Sequence, residues 1–392
     1  MYRSSRFGEL LEALPKGSFS RLVEQHESDK HCKGYDSWSH LVSMLFAQLS
    51  GVRSLRELET AFNAQARHHY HLGVNEMKRS TLSDANANRD CGLFEAMCSE
   101  LLSGAHRKVR RELKRQLYLI DSSPIPLKGL GYEWTKGKST QRVQGLSVHM
   151  VISPNLQVPV DARITYSNVT DVKVGKKMIV PEKGATYVFD KGYYDYSWWF
   201  KLHEAGSFFV TRLKKNAGVE IVKERTIKEA DQGIILEDST IQFKHATSST
   251  NHTRNAYYGK TLRRIVIARP DKDKPIVLVT NDKKRTASQI GALYKQRWDI
   301  ELFFKWMKQN LKIKQFLGRT ENAVKIQIYC AIIAYLLASA YRIKYSPRNT
   351  LKMVLALFRH DMFSRPEINE SQYRKRKEER DKIRRIQRDL AF

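Results

Sequence analysis

Residues 293–308 read Leu-Tyr-Lys-Gln-Arg-Trp-Asp-Ile-Glu-Leu-Phe-Phe-Lys-Trp-Met-Lys, and how this stretch folds decides how the rest of the chain is read. On a helix each residue advances about 100°, so Tyr294, Arg297, Glu301 and Lys308 fall within roughly 60° of one another. Lys305 and Lys312 join that stripe. Ile300, Phe303, Met307 and Leu311 lie on one side of it, and Trp298, Leu302 and Trp306 on the other. The pattern predicts a mostly buried helix whose one polar strip holds a single carboxylate among cations. Arg297, Glu301 and Lys305 at i, i+4, i+8 would also serve an exposed salt-bridge ladder. A narrow strip favours a site wall that meets metal and phosphate.

Two further acids stand where such a site needs them. Leu117-Tyr-Leu-Ile-Asp121 is a continuous apolar run that ends in an acid, as expected of a central strand buried on both faces. Thr186-Tyr-Val-Phe-Asp190-Lys-Gly-Tyr repeats the arrangement. Val143–Ile152 and Gln157–Thr165 read as a strand pair around Ser153-Pro-Asn155, residues 194–205 as a helix and Ser207–Leu213 as a strand.

The spacing Tyr-x2-Arg-x3-Glu-x6-Lys, the Asp190-Lys-Gly-Tyr element and a Ser-x-Leu-Ser-x-Ala-Asn segment at residues 80–86 resemble the bacterial insertion-sequence DDE transposases of the IS-four type, over about residues 10–345. The resemblance implies an α/β fold, with an RNase H-like catalytic core carrying a β-rich insertion after an all-α N-terminal DNA-binding domain. It implies a triad of Asp121, Asp190 and Glu301 holding Mg²⁺ (Mn²⁺ as substitute), two ions, with Tyr294, Arg297, Lys305 and Lys308 on DNA. The activity implied is cleavage at the inverted-repeat ends of a mobile element and joining of 3′-OH ends to target DNA, by a homodimer on paired ends. An RNase H-like nuclease without strand transfer, or a DNA-binding descendant without catalysis, are the alternatives. Carboxylates this close make sense around a hard cation, which takes oxygen ligands.

Composition agrees with such a partner. There are 69 basic against 41 acidic residues, a net charge of +28, and the usual counterpart of such an excess is nucleic acid, here double-stranded DNA. The most apolar run, Ile326–Tyr341, is short and mixed for a membrane span, and no signal peptide is evident at Met1. The expected place is the cytoplasm, at the nucleoid. Cys32, Cys91, Cys98 and Cys330 contain no C-x-x-C pair. His68, His69 and His71 read as helix-terminal histidines.

The domains expected are a helical DNA-binding unit (1–105), the first part of the core (106–213), a β-rich insertion (214–285), the second part with the signature helix (286–345) and a basic tail (346–392). In the first, a helix from Asp36 stops at Gly51, and Ser54-Leu-Arg-Glu57 reads as a capping box. Arg79, Ser80 and Asn86 are candidate DNA contacts, since such side chains reach phosphates and base edges; a capped helix start is the alternative. In the insertion, Val219–Val222, Ile234–Leu236, Ile241–Phe243, Leu262–Ala268 and Ile276–Val279 read as short strands, and Thr286-Ala-Ser-Gln289 as a capping box. No Trp lies between residues 200 and 297, so a stacking platform for a flipped base, present in some relatives, has no obvious counterpart. The tail segments Tyr373–Arg380 and Arg384–Arg388 are strongly basic.

Overall fold

The computed structural model describes residues 5–140, 143–247, 254–269, 274–311, 313 and 315–364. Among the described residues, seven helices precede the first strand: α1 (Arg6–Leu11), α2 (Lys16–Gln25), α3 (Ser37–Ser50), α4 (Leu55–Asn63), α5 (Ala66–Leu72), α6 (Arg79–Asn88) and α7 (Cys91–Glu112). Asp36 caps α3 through the Ser39 N–H, and Gly51 ends it at φ 86°, a left-handed conformation suited to glycine. Ser54 caps α4 through the Glu57 N–H. The other half of the expected capping box is shifted, because the Glu57 carboxylate accepts from the Arg53 N–H at 2.7 Å.

The chain then runs β1 (Leu117–Pro126), β2 (Gly145–Ser153), β3 (Val158–Tyr166), α8 (Asp171–Met178), β4 (Thr186–Phe189), α9 (Tyr196–Glu204) and β5 (Phe208–Arg212). There follow β6 (Val219–Glu224), β7 (Ile235–Phe243), β8 (Leu262–Ile267) and β9 (Ile276–Thr280), and then α10 (Ala287–Lys295), α11 (Arg297–Asn310), α12 (Glu321–Tyr345) and α13 (Leu351–Asp361). The described strands form one sheet in the order β3-β2-β1-β4-β5-β9-β8-β7-β6. Its first five strands, antiparallel from β3 to β1 and parallel from β1 to β5, form an RNase H-like core.

Three expectations change here. Ile234–Leu236 and Ile241–Phe243 belong largely to the single strand β7, and the insertion does not stand apart: β9 pairs antiparallel with β5, so its strands prolong the core sheet. Asp121 is inside β1 rather than at its end, since β1 continues to Pro126 against β2. Finally, the segment after residue 346 is not all tail, because α13 buries Val354, Leu355 and Phe358. The basic stretches at 373–388 lie outside the described residues, as does Lys312.

Side chains alternate across the sheet as a period of two requires. Leu117 and Leu119 of β1 and Val188 of β4 join a core shared with α3, α7, α11 and α12. Tyr118, Ile120, Tyr187 and Phe189 face the opposite layer, where Trp198 and Trp199 of α9 pack. Helix α12 is apolar all round and is the one helix, among the described residues, long and apolar enough to cross a membrane; 83% of that window is buried inside the protein, as befits a central core helix. Gln327, on α12, donates to the Gln315 carbonyl at 3.0 Å and accepts from the Leu317 N–H at 2.8 Å. This ties the connection between α11 and α12 to the core. Gln327→Leu leaves both backbone groups unpaired and should cost about 2 kcal/mol or more of stability; an unchanged urea midpoint would refute the tie.

Candidate active site

The two aspartates come together through strand register. The last paired residues of β1 and β4 are Ile120 and Phe189, so Asp121 and Asp190 follow at the same level on neighbouring parallel strands. Counting by two from Leu119 and from Val188 puts both on the face that packs α11. Past Phe189 the chain turns sharply, and the Asp190 carboxylate accepts from the Gly192 N–H at 2.7 Å. A side chain at 192 would stand 2.8 Å from an Asp171 oxygen and 3.0 Å from Asp190 Oδ1, so any larger residue would have to displace these carboxylates.

Glu301 arrives from α11. Arg297 Nη1 lies 2.6 Å from Glu301 Oε1 and 3.4 Å from Asp121 Oδ2. One guanidinium therefore bridges two of the three acids. The i, i+4 ion pair of the ladder reading exists, but it faces the aspartates and is not an isolated solvated pair. Asp121, Glu301, Lys305 and Lys308 line one cavity of about 410 Å³. Lys308 Nζ also donates to the Pro124 carbonyl at 2.9 Å, which joins α11 to the far end of β1.

The stripe itself is built differently from the expectation. The helix is interrupted at Gln296, and Tyr294 belongs to α10, whose N-terminal capping box at Thr286 and Gln289 is formed in both halves. Tyr294 is buried, with its ring 5.8 Å from the Arg297 guanidinium carbon. It backs the arginine, and its phenol stands among the site's charges, with Arg297, Arg212 and Asp190 all acting on it. Ile300, Met307 and Leu311 are buried as expected, whereas Trp298 and Leu302 are 58% and 56% exposed. Trp306, on the same flank, is half-buried against Tyr335 of α12, so that flank is covered only in part.

Of the N-terminal candidates, Arg79 and Ser80 are exposed at the start of α6 and line a cavity of about 760 Å³. Asn86 is a correction. It is buried, and its side-chain oxygen meets His40 Nε2 at 2.9 Å. That contact pairs one nitrogen of a fully buried imidazole, whose Nδ1 has no partner among the described residues, and burial holds the ring neutral with its pKa lowered to about 3.

Burial raises the Asp121 carboxyl to about 7, against the Ser122 N–H and Arg297, which lower it; Asp190 and Glu301 raise it further. Asp190 is raised too, mainly by burial and then by Asp171. Asp171 is the site acid that the sequence did not reveal. It opens α8, lies 3.5 Å from His149 Nδ1, and looks like any first-turn acid. The buried Tyr193 hydroxyl beside these acids has no hydrogen-bond partner among the described residues.

An all-carboxylate set of oxygen donors, two of them held above their usual range by burial and mutual repulsion, suits a hard divalent cation. Among the described residues, no three acid, His or Cys side chains stand close enough to share one ion without rearrangement. Arg297 supplies positive charge between Asp121 and Glu301. A carboxyl raised in the folded state costs stability as pH climbs from its unfolded value toward about 7. Asp121→Asn should therefore raise the metal-free melting temperature at about pH 8 and give no gain at about pH 4. Added divalent metal should stabilise the wild type and not the variant. Equal melting curves at both pH values would overturn the buried-charge account.

Known proteins resemble this chain over much of its length. The family model described as "Transposase DDE domain" matches residues 112–337, and one described as a domain of unknown function (DUF4372) matches residues 3–75. The chain is similar to the transposase-like protein y4zB of Sinorhizobium fredii, 43% identical over 258 residues that cover 65% of this chain and 69% of the relative. It is also similar to a protein assigned as the transposase of insertion sequence element IS5377 in Geobacillus stearothermophilus, 27% identical over 68% of this chain and 67% of the relative. Among solved structures, a piggyBac transposase synaptic complex with hairpin DNA aligns at a TM-score of 0.49 and 10% identity, over 95% of this chain and 86% of that one.

Proposed function

The chain belongs to the family of DDE transposases, metal-dependent enzymes that cut and transfer DNA strands, and on that premise we propose that it is of the IS-four type, with Asp121, Asp190 and Glu301 as its catalytic metal ligands. It binds the inverted-repeat ends of its own element as a homodimer, frees the 3′ ends and joins them to target DNA. The observation that carries this reading is the convergence of the two strand-borne aspartates with the helix-borne glutamate, beside a cavity walled by Lys305 and Lys308.

Two Mg²⁺ ions held by these carboxylates would activate the attacking oxygen and stabilise the leaving one during in-line displacement at phosphorus. The remaining work belongs to the chain. Lys305 and Lys308 sit on the cavity wall where a phosphodiester would lie, and as cations they offset its charge. Arg297 serves first as counter-ion to Asp121 and Glu301. Its planar fork also suits a nearby phosphate, which it would grip in two hydrogen bonds. Tyr294 holds Arg297 in place from the buried side. Arg79 and Ser80 contact DNA away from the cut.

Glu301→Gln keeps the size of the side chain and removes its charge. On supercoiled plasmid carrying the element's ends, Mg²⁺-dependent nicking should fall by orders of magnitude while the mobility shift on end DNA remains. Nicking near the wild-type rate would remove Glu301 from the catalytic set.

A further inference from the structure

Three cavities on one side of the protein share their walls. The catalytic cavity of Asp121 and Glu301 has Lys308 and Gln309 on its rim. Those two residues also line a second cavity of about 410 Å³, together with Arg53 and Arg359. Arg53 in turn lines the cavity of about 760 Å³ that holds Arg56, Arg79 and Arg319. The residues come from elements distant in sequence: α4 and the turn before it, the start of α6, the connection before α12, and α13. The α13 contribution is anchored, since Arg359 donates to the Asn310 carbonyl at the end of α11 at 3.1 Å.

The lining is strongly one-signed. Beyond the catalytic acids, Asp84 is the one acidic side chain on the described walls. Arg53, Arg56 and Arg79 are exposed and have no ion pair among the described residues. Surface arginines that stabilise a fold do so by pairing or packing. Arginines that converge unpaired on connected hollows gain most from an extended polyanion, whose many phosphates they meet in register.

We propose that the three cavities form one groove that carries a DNA phosphate backbone from the catalytic carboxylates, past Lys308, Arg359 and Arg53, to Arg56, Arg79 and Arg319 on the N-terminal side. This deepens the DNA reading above and rests on it. The groove couples the two ends of the protein, because one DNA segment then touches the N-terminal helices and the catalytic helix together.

The test uses the full-length chain, a fluorescein-labelled random-sequence duplex and anisotropy across a salt series. Arg53→Gln/Arg56→Gln/Arg79→Gln should flatten the log–log salt slope by about 0.9 for each phosphate that is no longer neutralised, on the order of 2–3 in all. A control that removes three exposed cations elsewhere, Arg21→Gln/Lys177→Gln/Lys223→Gln, should change it far less. Arg→Lys at the three groove positions should keep the slope, and circular dichroism melts verify folding; Arg56→Gln alone serves if the triple variant does not fold. A groove variant whose slope matches the control overturns the groove while leaving the enzyme assignment intact. A wild-type chain with a flat salt response overturns the DNA reading itself.

Discussion

Carboxylates that are buried together need positive charge nearby, and much of this protein can be understood from that requirement. Asp121 sits on a central strand with its carboxyl raised to about 7, chiefly by burial, with Asp190 and Glu301 adding to the effect. Left alone, such a group would take up a proton and fold around it. Here Arg297 lies within 3.4 Å of Asp121 and 2.6 Å of Glu301, and Tyr294 buttresses it from the core. The signature helix therefore delivers an acid and its counter-charge in one turn. That explains why arginine and glutamate are spaced i, i+4, and why a tyrosine precedes them on a separate helix.

The requirement also bears on architecture. Asp121 can be buried only if its strand is covered on both faces, and Tyr118 and Ile120 pack into one layer while Leu117 and Leu119 pack into the other. The first layer is an aromatic cluster led by Trp198 and Trp199; the second is built around α12 and the N-terminal helices. Those helices are therefore part of the wall behind the site, and not a freely hung module. Strands β6 to β9 extend the same sheet through the β5–β9 pairing, so the connection between Asp190 and Glu301 is rigid along its hydrogen-bonded length.

Features that depend on local pattern were legible in the sequence. Continuous apolar runs located β1 and β4, and periodicity located α11 and α12. What the sequence could not convey was which polar residues the tertiary packing encloses. Asn86 carries a side chain well suited to DNA, yet a buried His40 claims it. Trp298 and Leu302 satisfy the apolar pattern of a buried flank, yet no element among the described residues covers them. Asp171 has the appearance of a helix-start acid, and only the turn at Gly192 brings it to Asp190. The break at Gln296 left no mark, because glutamine is a good helix former. Arg359 belongs to a segment that reads as basic tail until Val354, Leu355 and Phe358 are seen to bury it.

These misreadings share a cause that also bears on the charge of the molecule. A net charge of +28 says only that cations exceed acids, and composition cannot say where. The fold gathers Arg53, Arg56, Arg79, Arg319 and Arg359 from segments up to 306 positions apart, and it does so through packing that is not itself electrostatic. Gln327 fixes the path of residues 315–317, and the buried face of α13 sets Arg359 against the end of α11. The core thus bears the cost of holding like charges near one another. That arrangement is stable when the core is large, and it is useful when the ligand is a polyanion long enough to meet every one of them.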